Sequence, residues 1–324
     1  MTMQDVLSTF SQQKILVIGD LILDHYVFGK VNRISPEAPI QIFDFKQDEY
    51  RLGGAANVAG NLVSLGCDIT LSGCLGNDTS ANVMLDILQQ KHIHSDGIIQ
   101  DEERPTTIKT RFIAQGQHLL RVDQEDKKNI NAKLEEKFQN YILQNIQNYH
   151  SIIISDYAKG FLLPSICNSV IMIANEYKIP VFVGPKGNNW EKYKGAYLLS
   201  ANRSETEVIA QRALPTNEDV IQAGNEIIEK FQLTAMLITL SAEGMLLCIK
   251  GNEHIYLPTQ AKEVYDVVGA GDTVLAMMAL SMTAKHSWKV SMNIANAAAG
   301  IVVGKVGTSL ITTEELLKLN MTLN

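Results

Sequence analysis

The chain has 324 residues, 46% of them hydrophobic, enough to bury the core of one large α/β domain or two small ones. It carries 28 Lys and Arg against 35 Asp and Glu, a net charge of −7 with no basic block, which argues against nucleic acid as the main ligand. No apolar run reaches the roughly 18 residues of a membrane span, and the opening MTMQDVLSTFSQQK has neither the basic nor the apolar part of an export signal, so a soluble cytoplasmic protein is expected.

The first predicted strand is Lys14–Gly19, with Asp20 and Asp24 just beyond it. Ligands of parallel sheets bind at the carboxyl ends of strands. Both carboxylates suit sugar hydroxyls, although Asp24 reads equally as a turn residue. Pro39–Phe45 alternates like a half-exposed strand. Gly53-Gly54-Ala55-Ala56-Asn57 then opens a helix to Leu65, which Gly66 stops. Its glycines let a ligand approach the backbone, and Asn57 offers a donor and an acceptor to a polyol, but glycines at loop-to-helix junctions are common.

Asp68–Gly73 is the next strand, and Thr106–Asp123 reads as two strands around Gln115-Gly116. Neither Pro39–Phe45 nor Thr106–Asp123 is followed by a helix. A small antiparallel sheet standing off the main body accounts for both, either as a lid over a site or as a plain edge hairpin. The chain is therefore read as one domain, 1–324, with lid segments at about 25–50 and 106–122.

Lys133–Tyr149 places Leu134, Phe138, Tyr141, Ile142 and Ile146 on one helical face. Strands follow at Ser151–Ser155, Pro180–Gly184, Ala196–Ser200 and Ala235–Leu240. Pro164 begins one intervening helix, and Asn217 is a candidate N-cap for another, Glu218–Phe231. Strands separated by helices imply a mainly parallel sheet covered on both faces.

Two late motifs carry the chemistry. In Asn202-Arg203-Ser204-Glu205, an amide and a carboxylate could hold Mg²⁺ through water beside a triphosphate, while a helix cap with an early Glu fits the same spacing. In Asp266–Leu275, DVVGAGDTVL, glycines 269 and 271 turn the backbone so that its N–H groups share a concavity at a helix start. That nest suits a phosphoryl group in transit, and Asp272 at its lip could accept a hydroxyl proton; an Asp N-cap on a buried helix fits equally. Arg33, Lys109, Arg111, Arg121, Lys159 and Lys186 are scattered along lid segments and strand ends, where a converging subset would clamp a phosphate. The seven histidines and the four cysteines show no metal-ligand spacing, and the cysteines read as small buried hydrophobes.

Taken in order, Gly53-Gly54…Asn57, Asn202…Glu205 and Asp266…Gly269–Asp272 resemble the ribokinase-type (phosphofructokinase-B) sugar kinases over essentially the whole chain. Longer runs, GDLILDHYVFG (19–29), RISPEAP (33–39), LGGAANVAGNLVSLG (52–66), SDYAKG (155–160) and PTQAKEVYDVVGAGDTV (258–274), are similar to the branch that phosphorylates D-glycero-β-D-manno-heptose 7-phosphate. The resemblance implies a ribokinase-like α/β fold with a β-sheet lid. It also implies transfer of the ATP γ-phosphoryl to O1 of that sugar, for the ADP-heptose branch of lipopolysaccharide core synthesis.

The resemblance carries residue roles with it. Asp272 would be the base, and Gly269, Ala270 and Gly271 would form the anion hole with it. Asn202, Arg203, Ser204 and Glu205 would contact ATP, with Asn202 and Glu205 on its Mg²⁺ through water. Adenine would lie between Ser241–Gly244 and the Asn296–Gly307 region. Asp20, Asp24, Arg33, Ser35, Gly53, Gly54, Asn57, Lys109, Arg111, Asp156, Lys159 and Lys186 would surround the sugar and its phosphate. Carbonyls near Asp266, Val268 and Gly307 could hold a monovalent cation such as K⁺, and the lid would pair two copies as a homodimer.

Relatives of this type often carry a nucleotidyltransferase domain, for which the sequence to Asn324 offers no candidate. It departs from the family pattern at Gly184, where an Asp is expected before Pro185-Lys186-Gly187, and at Val268, Ala201, Gln115 and His118. A kinase for another sugar phosphate, or a weakened sugar-phosphate or nucleotide-binding homologue, stays open. A dehydrogenase is disfavoured, because GDLILD stands where GxGxxG would follow the first strand.

Overall fold

The computed structural model describes residues 1–261 and 263–319. In chain order its strands are β1 (Lys14–Gly19), β2 (Leu21–Ile34), β3 (Gln41–Gly54), β4 (Asp68–Gly76), β5 (His94–Asp101), β6 (Thr107–Ala114), β7 (Gln117–Gln124), β8 (Ser151–Ser155), β9 (Val181–Gly184), β10 (Leu198–Asn202), β11 (Ala235–Thr239), β12 (Met245–Ile249) and β13 (Glu253–Leu257). Nine of them form one sheet, ordered β13-β12-β11-β10-β9-β8-β1-β4-β5. The pairings from β5 to β11 are parallel, and the β11–β12–β13 edge is antiparallel.

Helices cover both faces, as parallel crossovers require. One face packs Ala55–Val63, Ala270–Thr283 and Trp288–Val302, and the other packs Ala132–Asn145, Pro164–Glu176 and Asn217–Phe231. The helix Ala270–Thr283 is buried nearly all round, so it sits as a central strut and carries Asp272 on its first turn. The four cysteines are free and buried, as expected. Among the described residues, no helix is long and apolar enough to cross a membrane.

The small sheet is ordered β3-β2-β6-β7. It is mixed rather than antiparallel, because β2 and β6 leave the main sheet in the same direction and pair in parallel. Strand β2 escapes the alternation rule because its first half is buried on both faces and only its outer end is exposed. Strand β3 runs the full distance from Gln41 to Gly54, well beyond the Pro39–Phe45 segment.

Three other sequence expectations shift. Strands β5, β12 and β13 were not foreseen; the β12–β13 connection carries Gly251 and Asn252, both at positive φ. The N-cap of Asn217–Phe231 is Thr216, not Asn217, since the Thr216 hydroxyl and Asp219 carboxylate close a reciprocal capping box. Strand β10 starts two residues later than expected and runs into Asn202.

Candidate active site

Strands β1, β8, β9 and β10 end at a common edge, where Asp20, Asp156–Lys159, Gly184–Lys186 and Asn202 emerge. Across that edge stands the start of the helix Ala270–Thr283. Gly269 precedes it at φ +82°, and a Cβ there would lie 2.9 Å from Asn57 Nδ2, so glycine is required both by conformation and by space. The Ala270 amide closes a turn onto Val267 O at 3.2 Å. The amides of Gly271 and Asp272 lie in a first turn that has no preceding helical carbonyls to accept them. A Cβ on Gly271 would meet nothing within 4 Å, so that side of the turn is open.

Asp272 is 8% exposed. Its Oδ2 accepts from Asn57 Nδ2 at 2.8 Å, and its Oδ1 accepts from the Tyr157 hydroxyl at 2.7 Å. Burial pushes its pKa up to about 6, against these two hydrogen bonds, which favour the charged form. Asn57 is itself oriented, because Asn61 Nδ2 lies against its backbone O (3.0 Å) and its Oδ1 (3.4 Å), while Asn61 Oδ1 accepts from Ile311 N at 3.1 Å. An amide chain thus aims one N–H₂ group at the carboxylate.

The cleft in front of Asp272 is lined by Tyr157, Gly184, Lys186, Asn202, Glu205 and Gly271, among others. Asn202 caps the helix Arg203–Ala210: its Oδ1 accepts from Glu205 N at 2.8 Å, and Glu205 Oε2 accepts from Asn202 N at 3.1 Å. The capping reading of that motif holds, and both capping residues also line the cleft. Lys186 pairs with Glu205 Oε1 at 2.7 Å, and Arg203 pairs with Glu243 rather than entering the cleft. Ser204 lies in the first turn of the same helix.

The other predicted residues divide. Asp24 Oδ1 accepts from Arg111 Nη1 at 2.6 Å, and Asp24 Oδ2 accepts from Thr308 Oγ1 at 3.2 Å. Gly53 lies beside it, since a Cβ there would meet Asp24 Oδ2 at 2.6 Å; at Gly54, at φ +58°, a Cβ would meet Asp20 O at 2.5 Å. Asp20 is buried, with one carboxylate oxygen, Oδ1, left without a partner among the described residues. Its Oδ2 accepts the amides of Tyr157 (2.8 Å) and Lys159 (3.2 Å), and burial with the nearby Asp156 raises its pKa to about 6. Asp156 is likewise used internally, by Tyr193 at 2.6 Å, Ala158 N at 2.6 Å and Lys192. Lys109 and Lys159 share Glu125, and Lys109 also meets Asp123 at 3.0 Å, so their charges are locally balanced. Arg121 pairs with Asp123 on the exposed β7.

Arg33 and Ser35 sit at the far tip of β2 and beyond it. Arg33 is nine residues from Asp24, about 30 Å along a strand, so the structure does not bring it to the site within one chain. Ser35 Oγ accepts from Glu37 N at 3.1 Å in the tip turn. Ser241 and Gly244 form the β11–β12 turn. Asn296 is buried and donates to Pro258 O at 2.7 Å, and Gly307 N donates to Asp266 Oδ2 at 3.0 Å.

The chain matches the pfkB family carbohydrate kinases over residues 12–315. It belongs to that family. This kinase is 43% identical over 302 residues to the bifunctional protein HldE of Geobacter metallireducens, covering 93% of this chain and 62% of that protein. With HldE of Helicobacter pylori strain HPAG1 it shares 42% identity over 311 residues, covering 96% of this chain and 67% of the relative. The kinase thus spans about three fifths of the Geobacter relative's length. An Arabidopsis thaliana ribokinase solved with ribose and ATP superposes with TM-score 0.76 at 22% identity, covering 96% of this chain and 99% of that one. Escherichia coli phosphofructokinase-2, solved with substrates and products, superposes with TM-score 0.77 at 18% identity, covering 95% and 98%. The fold is ribokinase-like, as expected.

A carbohydrate kinase needs a phosphoryl donor, which for this family implies ATP. Among the described residues, no group of three or more His, Cys, Asp or Glu is placed to hold a metal ion. Asn202 and Glu205, which line the cleft, are the groups that would meet a hydrated divalent ion there. Sequence reasoning missed Tyr157, Asn61 and Thr308. Tyr157 was the most accessible of the three, because it lies at the carboxyl end of β8 between Asp156 and Lys159, both of which were singled out.

Proposed function

We propose that this kinase transfers the γ-phosphoryl of ATP to O1 of D-glycero-β-D-manno-heptose 7-phosphate, with Asp272 as general base. The observation that carries the catalytic part is the buried Asp272 carboxylate, held at both oxygens beside the open amide turn at Gly271. The sugar assignment rests on the long motif runs shared with heptose 7-phosphate kinases and on the similarity to the HldE proteins. In this reading the sugar sits between Asp24, Gly53, Asn57 and Asp272, with O1 facing the carboxylate. Asp272 takes the hydroxyl proton as the oxygen attacks phosphorus in line, and the amides of Gly271 and Asp272 face the phosphoryl oxygens. Mg²⁺, when bound, neutralises charge on the phosphates.

Lys109 and Lys159 take the 7-phosphate by exchanging Glu125 for it. Exchange of one anion for another at a prepared cation pair keeps the phosphate site from standing empty and charged. The small sheet serves as a lid, and its exposed Phe45 (60%), Leu120 (58%) and Val122 (49%) favour burial against a second copy, giving a homodimer. A monovalent cation such as K⁺ is placed by the carbonyls near Asp266, Val268 and Gly307, in a cytoplasmic enzyme.

The test is ATP turnover with Mg²⁺ on the manno-heptose 7-phosphate, sedoheptulose 7-phosphate, fructose 6-phosphate and ribose. Turnover confined to the first supports the reading; preference for another sugar phosphate overturns the substrate. No ADP above background with folded protein would favour a binding homologue weakened at Gly184. That glycine lines the cleft, and a Cβ there meets only Leu275 Cδ2, at 3.0 Å. Gly184→Asp is therefore expected to fold and to lower the Mg²⁺ concentration for half-maximal rate several-fold, read from a Mg²⁺ titration. An unchanged titration would show that the missing carboxylate is immaterial.

A further inference from the structure

We infer that Tyr157 is a positioning residue for the base: its hydroxyl fixes Asp272 Oδ1 and holds the carboxylate in its ionised form. The inference rests on the reading of Asp272 as general base.

The phenol is 2.7 Å from Asp272 Oδ1, close enough for a charge-assisted bond. It has one proton to give. Burial beside Asp272 pushes its pKa well above the ordinary phenol value, so across the working pH range it stays protonated and stays a donor. The two oxygens of Asp272 are thus held from different elements: Oδ2 by Asn57 on the helix after β3, and Oδ1 by Tyr157 on the loop after β8. Two anchors on opposite sides fix the plane of the carboxylate. One anchor would leave it free to rotate about the other bond.

The loop that carries Tyr157 is itself fixed. Asp20 Oδ2 accepts both the Tyr157 and Lys159 amides, the Tyr157 one at 2.8 Å, and Asp156 Oδ1 accepts Ala158 N at 2.6 Å. Asp20 Oδ2 thus braces the loop that carries Tyr157. A tyrosine held at its backbone by one carboxylate and at its hydroxyl by another has little freedom of its own. This arrangement also answers an electrostatic problem. Burial and the charge of Asp24 both raise the Asp272 pKa, and only the Asn57 and Tyr157 hydrogen bonds oppose them. Without the phenol, more of the enzyme would carry a protonated, useless base at neutral pH.

Tyr157→Phe removes the hydroxyl and keeps the ring. Expected are a fall in kcat of about twofold near pH 7 that grows toward about tenfold below pH 6, a small change in the KM for ATP, and an upward displacement of the acidic limb of kcat/KM by roughly one pH unit, the size of one charge-assisted hydrogen bond. At pH 8.5 the kcat deficit should narrow. A direct readout needs no substrate: in protein labelled with ¹³C at aspartate carboxyls, the Asp272 resonance, assigned by its loss in Asp272→Asn, should titrate about one unit higher in the variant. An unshifted resonance in folded Tyr157→Phe protein, judged by its circular dichroism, overturns the inference, as does a kcat loss that is the same at every pH. The titration is independent of which sugar the enzyme takes. A shifted resonance with no turnover on any sugar would uphold the Tyr157 contact while rejecting the kinase reading. If Tyr157→Phe does not fold, the same resonance in Asp20→Asn protein, with its loop anchor weakened, must move in the same direction.

Discussion

Asp272→Asn is expected to lower kcat at least a hundredfold while leaving ATP affinity nearly unchanged, as loss of a general base requires. The same substitution should make the protein more stable at neutral pH. In the fold the Asp272 pKa is raised to about 6, whereas an unfolded Asp titrates near 3.9. A raised carboxyl pKa means that the folded state binds the proton more tightly, so stability falls as pH climbs through the window from about 4 to about 6. Above that window the whole cost is present, up to about 3 kcal/mol for two units. Asparagine carries no charge and can turn its oxygen to Asn57 and its amide to the Tyr157 oxygen. Thermal melts at pH 7.5 should therefore show Asp272→Asn above wild type by a few degrees, with the two converging below about pH 4. Undiminished turnover would remove Asp272 from the role of base. A variant less stable than wild type at pH 7.5 would mean that the carboxylate is not under strain. The wild-type enzyme should itself lose kcat/KM below about pH 6, as its base takes up a proton.

Arg111→Met should be the most destabilising single change in the small sheet. The Asp24–Arg111 pair is close, at 2.6 Å, with side chains only 3% and 7% exposed. Burial disfavours the Arg111 cation, but Asp24 more than restores it and holds its pKa above the usual value. Removing one member of a buried pair strands the other, at about 3 kcal/mol or more. The Tm should fall by at least about 5 °C, and the KM for the sugar should rise, because Asp24 loses the cation that compensates and orients its carboxylate. Replacing both, as Asp24→Asn with Arg111→Met, should recover most of the stability and none of the sugar affinity. The cycle separates the two contributions. A single variant as stable as wild type would show that the pair is solvated.

The contrast between these two sites marks what the sequence can disclose. The glycine turn, Asp272 and Asn57 were legible because their chemistry is local: φ-permissive residues, a helix start and a carboxylate within a few positions. The parallel strands were legible as short apolar runs between amphipathic helices. Pairings across the fold were not. Arg111, Lys109, Lys159 and Lys186 were read as scattered cations of which a subset would converge on phosphate, and the carboxylate partner that each has, Asp24, Glu125 or Glu205, was not visible in the sequence. Tyr157 reaches a carboxylate 115 positions away, and no spacing rule spans that distance. Strand β2 was hidden because burial on both faces of its inner half erased the alternation that betrays a strand. Asp20 lies at the strand end where it was expected, and its Oδ2 accepts the Tyr157 and Lys159 amides of a loop far along the chain, a use that no spacing rule announces.

The passage from β1 to β2 consists of Asp20 alone, and β3 gives way to its helix at Gly54 with no linker. Both roots of the β2–β3 pair are thus fixed to the floor of the cleft, one by a buried carboxylate and the other by a glycine at positive φ, where a Cβ would lie 2.5 Å from Asp20 O. The opposite end, Ser35–Ile40, is a surface turn that touches none of this. Over evolutionary time the two ends face unequal tolerance. A residue inserted at the roots would flip every side chain of the sheet relative to the floor, whereas residues gained or lost at the tip leave Asp24, Gly53 and Asn57 where they are. Lineages of this kinase can therefore remodel what the sheet reaches for, a longer sugar or a different neighbour, without renegotiating the chemistry beneath it.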